Sequence, residues 1–133
     1  MVHAGFSRHP QYMPAGSTLL IVEDNPGVRN VVESYMSRHG DWSVVLTAPD
    51  AGRALMLAAE HGPAAIVLDN RMPGGDGIDV LPALRRTCPD AVIVIHTSDD
   101  SASVREAAEE FGADAVVGKG QPLDELVAML HVS

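Results

Sequence analysis

The stretch Thr18-Leu-Leu-Ile-Val-Glu-Asp-Asn-Pro26 decides the reading of this chain. Thr18 to Val22 is β-branched or apolar without alternation, the pattern of a strand covered on both faces. Polarity then changes abruptly at Glu23-Asp24. Asn25 is a good helix N-cap, and Pro26 suits the first helical position, where its missing N–H costs nothing. A buried strand that ends in carboxylates and turns at once into a helix opens a βα unit.

The same unit recurs outward from this point. Val28, Val31, Val32 and Tyr35 give the first helix an apolar face, and Gly40 ends it. Ser43 to Thr47 is a second strand, with Trp42 just before it. Asp50 caps a second helix, Ala51 to His61, closed by Gly62-Pro63. Ala64 to Leu68 is a third strand. Met72-Pro73-Gly74-Gly75 then makes a tight turn rather than a phosphate cradle. The third helix, Ile78 to Thr87, contains Pro82, which costs a hydrogen bond unless it lies in the first turn. Ala91 to Ile95, Ser101 to Phe111, Ala115 to Val117 and Pro122 to Leu130 complete the alternation, with Gly112 ending the fourth helix.

Five strands alternating with five helices predict an α/β fold, a doubly wound five-stranded parallel sheet with helices on both faces. Right-handed crossovers leave few strand orders for such a sheet. The segment 1–16 has no apolar run of signal-peptide type and is expected to be a flexible tail, pinned if at all by Phe6 or Tyr12. The domain is expected to span 17–133. The last helical pattern stops at Val132-Ser133, so no second domain is expected to follow.

Composition narrows the function. The 133 residues are 46% hydrophobic and 20% charged, in the range of a globular domain. No apolar run approaches the length that crosses a bilayer, so no membrane partner is expected. The formal charge of −9 argues against direct nucleic-acid binding. One cysteine, Cys88, permits no internal disulfide, and a reducing cytoplasm is the expected compartment. No basic residue beside Cys88 in the sequence marks it as reactive.

In doubly wound sheets ligands bind beyond the carboxyl ends of the strands. The first strand ends in Glu23-Asp24, the third in Asp69, the fourth in His96-Thr97-Ser98 and the fifth in Lys119. Lys119 is the only lysine in the chain. The first and third strands are central neighbours, so three carboxylates would crowd one pocket. Like charges that close oppose one another's ionisation, and a hard divalent cation such as Mg²⁺ relieves them. Helix capping alone accounts for Glu23 and Asp24. It leaves Asp69, Thr97 and Lys119 unexplained. His96 alternates with Thr97 along its strand and is expected to face the other way, in a structural role.

The motifs Leu20-Ile-Val-Glu-Asp24, Val67-Leu-Asp-Asn-Arg-Met-Pro-Gly-Gly-Asp-Gly77, Ile95-His-Thr-Ser98 and Gly112-Ala-Asp-Ala-Val-Val-Gly-Lys119, in this order, resemble the receiver domain of two-component response regulators. The resemblance covers about Ser17 to Leu130. It implies a flavodoxin-like fold of strand order 2-1-3-4-5 and a phosphorylation switch rather than a conventional enzyme. Asp69 would accept a phosphoryl group from a sensor histidine kinase, and the domain would promote its own phosphotransfer and dephosphorylation. Glu23, Asp24, Asp69 and the backbone carbonyl of Arg71 would hold Mg²⁺. Thr97 would hydrogen-bond a phosphoryl oxygen, and Lys119 would pair with the phosphoryl group or, before transfer, with Asp69. The output would pass to a downstream protein, or to a second copy of the chain, through the face of the fourth helix, fifth strand and fifth helix.

Two positions depart from the pattern. Gly120 follows Lys119 where many receivers have a proline. Lys-Gly here, and Asp-Asn-Arg-Met-Pro-Gly around Asp69, are similar to the subfamily with helix-turn-helix output. Val116 stands where many receivers have an aromatic ring that rotates on activation, so that readout is not available. A receiver-like interaction module that works without phosphorylation is the alternative. An aspartyl phosphatase is disfavoured, because Arg71 occupies the position two residues after Asp69, where such enzymes place an acid.

Overall fold

Of this chain, the computed structural model describes residues 17–72 and 75–131. Strand β1 (Ser17–Val22) leads into helix α1 (Pro26–His39), strand β2 (Trp42–Ala48) and helix α2 (Ala51–His61). Strand β3 (Ala65–Asp69) is followed by helix α3 (Gly77–Thr87), strand β4 (Val92–Thr97), helix α4 (Ala102–Phe111), strand β5 (Ala115–Gly118) and helix α5 (Leu123–Leu130). The five strands form one parallel sheet in the order 2-1-3-4-5, as the resemblance implies. The tail 1–16, with Phe6 and Tyr12, lies outside the described residues, as do Pro73 and Gly74 of the expected turn. Their flanks form a two-residue antiparallel ribbon, with Arg71 opposite Asp76 and Met72 opposite Gly75.

Side chains alternate across the sheet, so each strand feeds two cores. Leu19, Ile21, Val67, Val94 and Val117 pack under α1 and α5 through Val32, Met36, Leu126 and Leu130. Leu20, Val22, Ile66, Leu68, Ile95 and Val116 pack under α2, α3 and α4 through Leu57, Leu81, Leu84 and Ala108. This double coverage is why the strands read as apolar without a break.

Local chemistry sets the boundaries. Asn25 Oδ1 accepts the Val28 N–H at 3.0 Å, and Asp50 Oδ1 accepts the Arg53 N–H at 2.8 Å. Gly62 closes α2 at φ 53°, a left-handed conformation that glycine adopts without a Cβ penalty. Pro82 is the sixth residue of α3, past the first turn. It has no N–H to donate to the Ile78 carbonyl, yet the helix continues to Thr87.

Val31 corrects the expected face of α1. It is 59% exposed, and the buried stripe is Val28, Val32, Tyr35 and Met36. That spacing of i, i+4, i+7 and i+8 places Val31 to one side. Trp42 begins β2 rather than preceding it, and its ring lies 4.9 Å from that of His131.

Arg85 braces the end of the sheet away from the carboxylates. Its fork donates to the carbonyls of Gly112 (2.8 Å) and Ala91 (2.6 Å) and to Asp114 Oδ2 (2.9 Å). Asp114 Oδ2 also accepts the Ile93 N–H at 2.8 Å. One side chain thus ties α3 to the starts of both β4 and β5.

Candidate functional site

Asp69 and Thr97 are the last residues of β3 and β4. Glu23 and Asp24 directly follow β1, and Lys119 directly follows β5. Parallel strands all end on one side, so four separate βα junctions bring these side chains to one place. The ladder runs slightly past the strands. The Glu23 N–H donates to the Ala48 carbonyl at 3.0 Å, and the Lys119 N–H donates to the Thr97 carbonyl at 2.7 Å.

Three carboxylates converge here. Glu23, Asp24 and Asp69 each present an oxygen within 4.8 Å of the others, and Glu23 and Asp69 are buried. Lys119 Nζ lies 2.8 Å from Glu23 Oε1 and 3.2 Å from Asp69 Oδ1. Asn25 donates its N–H to Glu23 Oε2 at 3.1 Å, so both Glu23 oxygens are engaged. Arg71 meets Asp69 through its N–H, 3.3 Å from Oδ1.

The electrostatics follow from this crowding. Burial, then hydrogen bonding to Glu23 and Asp24, pushes the Asp69 carboxyl up to about 7, and Lys119 offsets only part of the rise. Asp24 is lowered: its slight burial pushes upward, but hydrogen bonds with Asp69 and Glu23 outweigh that. Burial works against the Lys119 ammonium, yet its bonds with Glu23 and Asp69 hold its pKa above the ordinary value. A pocket that favours a proton on a buried aspartate equally favours a cation with oxygen preference. Three clustered carboxylates are the donor set that Mg²⁺ takes, with water completing its octahedron.

The Asp69 loop is held by contacts that the sequence did not single out. Asn70, directly after Asp69, is buried, and its Oδ1 accepts the Ile78 N–H at 3.2 Å. Its carbonyl accepts the Gly77 N–H at 2.6 Å. A Cβ at position 77 would collide with the Asp69 carbonyl oxygen, so this close approach requires glycine. Gly77, which ends the second motif, thus has a steric cause.

The sequence matches the response regulator receiver domain family over residues 19–131. The chain belongs to that family. It is 40% identical over 113 residues to response regulator MprA of Mycobacterium sp. (strain KMS), covering 85% of this chain and 48% of that protein. The receiver therefore spans about half the length of the curated relatives it matches. A solved LuxR-family two-component response regulator from Aurantimonas sp. SI85-9A1 is 32% identical, with a TM-score of 0.78 over 84% of this chain and 80% of that one. Chemotaxis protein CheY4 of Vibrio cholerae superposes with a TM-score of 0.79 over 87% of this chain and 97% of that one. At 24% identity it shows the fold alone.

Two further residues of this receiver are settled by burial. His96 is 3% exposed, and burial, reinforced by the charge of Lys119, lowers its imidazole to about 4, so it is neutral at pH 7. Its Nε2 has no hydrogen-bond partner among the described residues. Cys88 is buried, and burial raises its thiol pKa, which Arg85 only partly counters. Neither residue has the exposed, activated character of a nucleophile. Among the described residues no helix is long and apolar enough to cross a membrane.

Proposed function

We propose that this receiver is a phosphorylation switch in which Asp69 accepts a phosphoryl group from a sensor histidine kinase. The observation that carries this reading is the convergence on Asp69, at the end of β3, of two further carboxylates from the end of β1 and the chain's only lysine from the end of β5. An Asp69 carboxylate oxygen attacks phosphorus, the phosphorus–nitrogen bond of phosphohistidine breaks, and the electron pair leaves on the imidazole. Phosphoryl transfer needs position and charge neutralisation more than covalent help. Mg²⁺, held by Glu23, Asp24, Asp69 and the Arg71 carbonyl, would neutralise charge on the transferred group. Lys119 supplies a second positive charge, and the Thr97 hydroxyl donates to a phosphoryl oxygen. The same groups admit water to the acyl phosphate, so the domain promotes its own dephosphorylation.

The signal passes to a downstream protein or a second copy through the surface of α4, β5 and α5. Direct nucleic-acid contact by this chain is disfavoured by its net charge of −9. The reading also takes 17–133 as the functional unit and a cytoplasmic setting, where histidine kinases present their phosphoryl groups.

The test is intact mass after incubation with acetyl phosphate and Mg²⁺, beside Asp69→Asn. One phosphoryl adduct that requires Mg²⁺ and is absent from the variant is the expected result. An adduct that persists in Asp69→Asn overturns the assignment of Asp69. No adduct from either acetyl phosphate or a phosphorylated kinase domain would favour an interaction module that works without phosphorylation.

A further inference from the structure

One chain of side-chain hydrogen bonds leads from the Asp69 site to the outer edge of the sheet. Thr97 Oγ1 accepts the Asp99 N–H at 3.1 Å. Asp99 Oδ1 accepts the Ser101 N–H at 3.1 Å, immediately before α4. From the first turns of α4, Arg105 reaches back. Its Nε donates to the Asp100 carbonyl at 3.1 Å, and Nη2 lies 3.6 Å from Asp100 Oδ2. Its Nη1 donates to the Val116 carbonyl at 3.2 Å.

The position of Val116 gives this last bond its meaning. β5 is an outer strand of the sheet, so one of its edges has no partner strand. The Val116 side chain is fully buried against the α2–α4 core, and the Arg105 guanidinium takes up its backbone carbonyl. Arg105 also helps line a cleft of about 380 Å³ with Asp100, Val117, Gln121 and Glu125. It is the only cation in that lining, facing two carboxylates.

We propose that Arg105 is a latch between the Asp69 site and the α4–β5 surface. While Thr97 Oγ1 holds the Asp99 N–H, the loop presents Asp100 to Arg105, and Arg105 closes the β5 edge at Val116. When Oγ1 is drawn to a phosphoryl oxygen, a shift on the order of 1 Å lengthens the Asp99 bond past hydrogen-bonding range. The loop is then freed, and Arg105 releases Val116 and uncovers the acidic cleft. This inference rests on the phosphorylation reading for its trigger, but the latch itself is present in the unmodified protein. It supplies a route to the surface that needs no aromatic ring at position 116.

The test is amide and arginine Nε NMR on ¹⁵N-labelled protein, with the Asp69 adduct followed by mass in the same samples. Phosphorylation of the unsubstituted chain should speed exchange of the Arg105 Nε–H at least tenfold and shift the amides of Val116, Val117 and Gly118. Unphosphorylated Thr97→Ala should show the same faster exchange, and Thr97→Ser should restore the slow rate. Arg105→Ala should still form the adduct, with the β5 amides near their phosphorylated positions before modification. Arg105→Gln replaces it if the alanine variant does not fold. Equal movement of the β5 amides on phosphorylation with and without Arg105 would overturn the latch. So would Thr97→Ala with an Arg105 Nε–H as protected as in the unsubstituted chain. If no adduct forms, the phosphorylation reading falls by itself and the two Thr97 variants still decide the latch.

Discussion

Replacing Asp69 by asparagine should make the protein more stable, and by an amount that depends on pH. Asp69 is buried beside Glu23 and Asp24, and its carboxyl is raised from 3.8 to about 7. An acid whose folded value lies above its unfolded value contributes stability that is whole below pH 3.8 and is lost as pH rises through about 7. Working that shift through the linkage relation, the ionised side chain costs roughly 2.5 kcal/mol more at pH 8 than at pH 5. Asparagine does not titrate, and its amide oxygen can still accept from Arg71 and Lys119. The stability gap between Asp69→Asn and the unsubstituted protein should therefore widen by about that amount from pH 5 to pH 8. Urea unfolding at the two pH values measures it. Taking the difference between the two proteins cancels every other group that titrates identically in both. On the proposed reading Mg²⁺ at pH 8 should close most of the gap, because its binding would stabilise the protein that retains all three carboxylates. A gap equal at both pH values, within about 0.5 kcal/mol, would refute the raised carboxyl and the crowding argument behind it.

Other consequences can be checked with the same material. Lys119→Ala leaves Glu23 and Asp69 buried without their cation. It should cost about 3 kcal/mol in urea unfolding at pH 8 and slow adduct formation from acetyl phosphate by about 100-fold. Gly77→Ala forces a Cβ against the Asp69 carbonyl. It should cost about 1–3 kcal/mol and weaken Mg²⁺ binding, read by Mg²⁺ titration of thermal stability. Trp42 lies at the amino-terminal start of β2, whereas the carboxylates follow strand carboxyl ends. Its emission should change by less than about a tenth on saturation with Mg²⁺, a distance argument that a large, saturable quench would contradict.

Most of the architecture was legible in the sequence because its punctuation is chemical. Asp50 and Gly62 delimit α2 to the residue, since an N-cap acceptor and a left-handed glycine act locally. The unbroken apolar strands announced two-sided coverage. Val31 was misread because an apolar run in a helix does not reveal which stripe faces a neighbour. That depends on α1 packing across both the sheet and α5. The candidate site residues were legible one by one at strand ends. Their pairing, such as Lys119 with Asp69 fifty positions earlier, required the strand order. Arg85 and Arg105 carried no signal at all. An arginine on a helix reads as a solvated surface charge until the carbonyl that it reaches is known.

The geometry of Lys119 suggests how one lysine can serve both a resting site and a loaded one. Its ammonium is nearer to Glu23 (2.8 Å) than to Asp69 (3.2 Å), and Glu23 is fixed from its other oxygen by the Asn25 N–H. A phosphoryl group on Asp69 would compete only for the longer of the two contacts. Glu23 would keep the lysine in place while its remaining donors turn to the new oxygens. Charge balance points the same way. In the resting pocket the lysine is shared, so it does not bring Asp69 down to an ordinary carboxylate value. Something more cationic than a proton must enter before Asp69 is fully ionised and nucleophilic at neutral pH. On the proposed reading, phosphorylation at pH 7 should therefore respond to Mg²⁺ more steeply than at pH 8.5, where the carboxyl is already deprotonated. A Mg²⁺ dependence that is the same at both pH values would mean that the metal acts on the phosphoryl group alone.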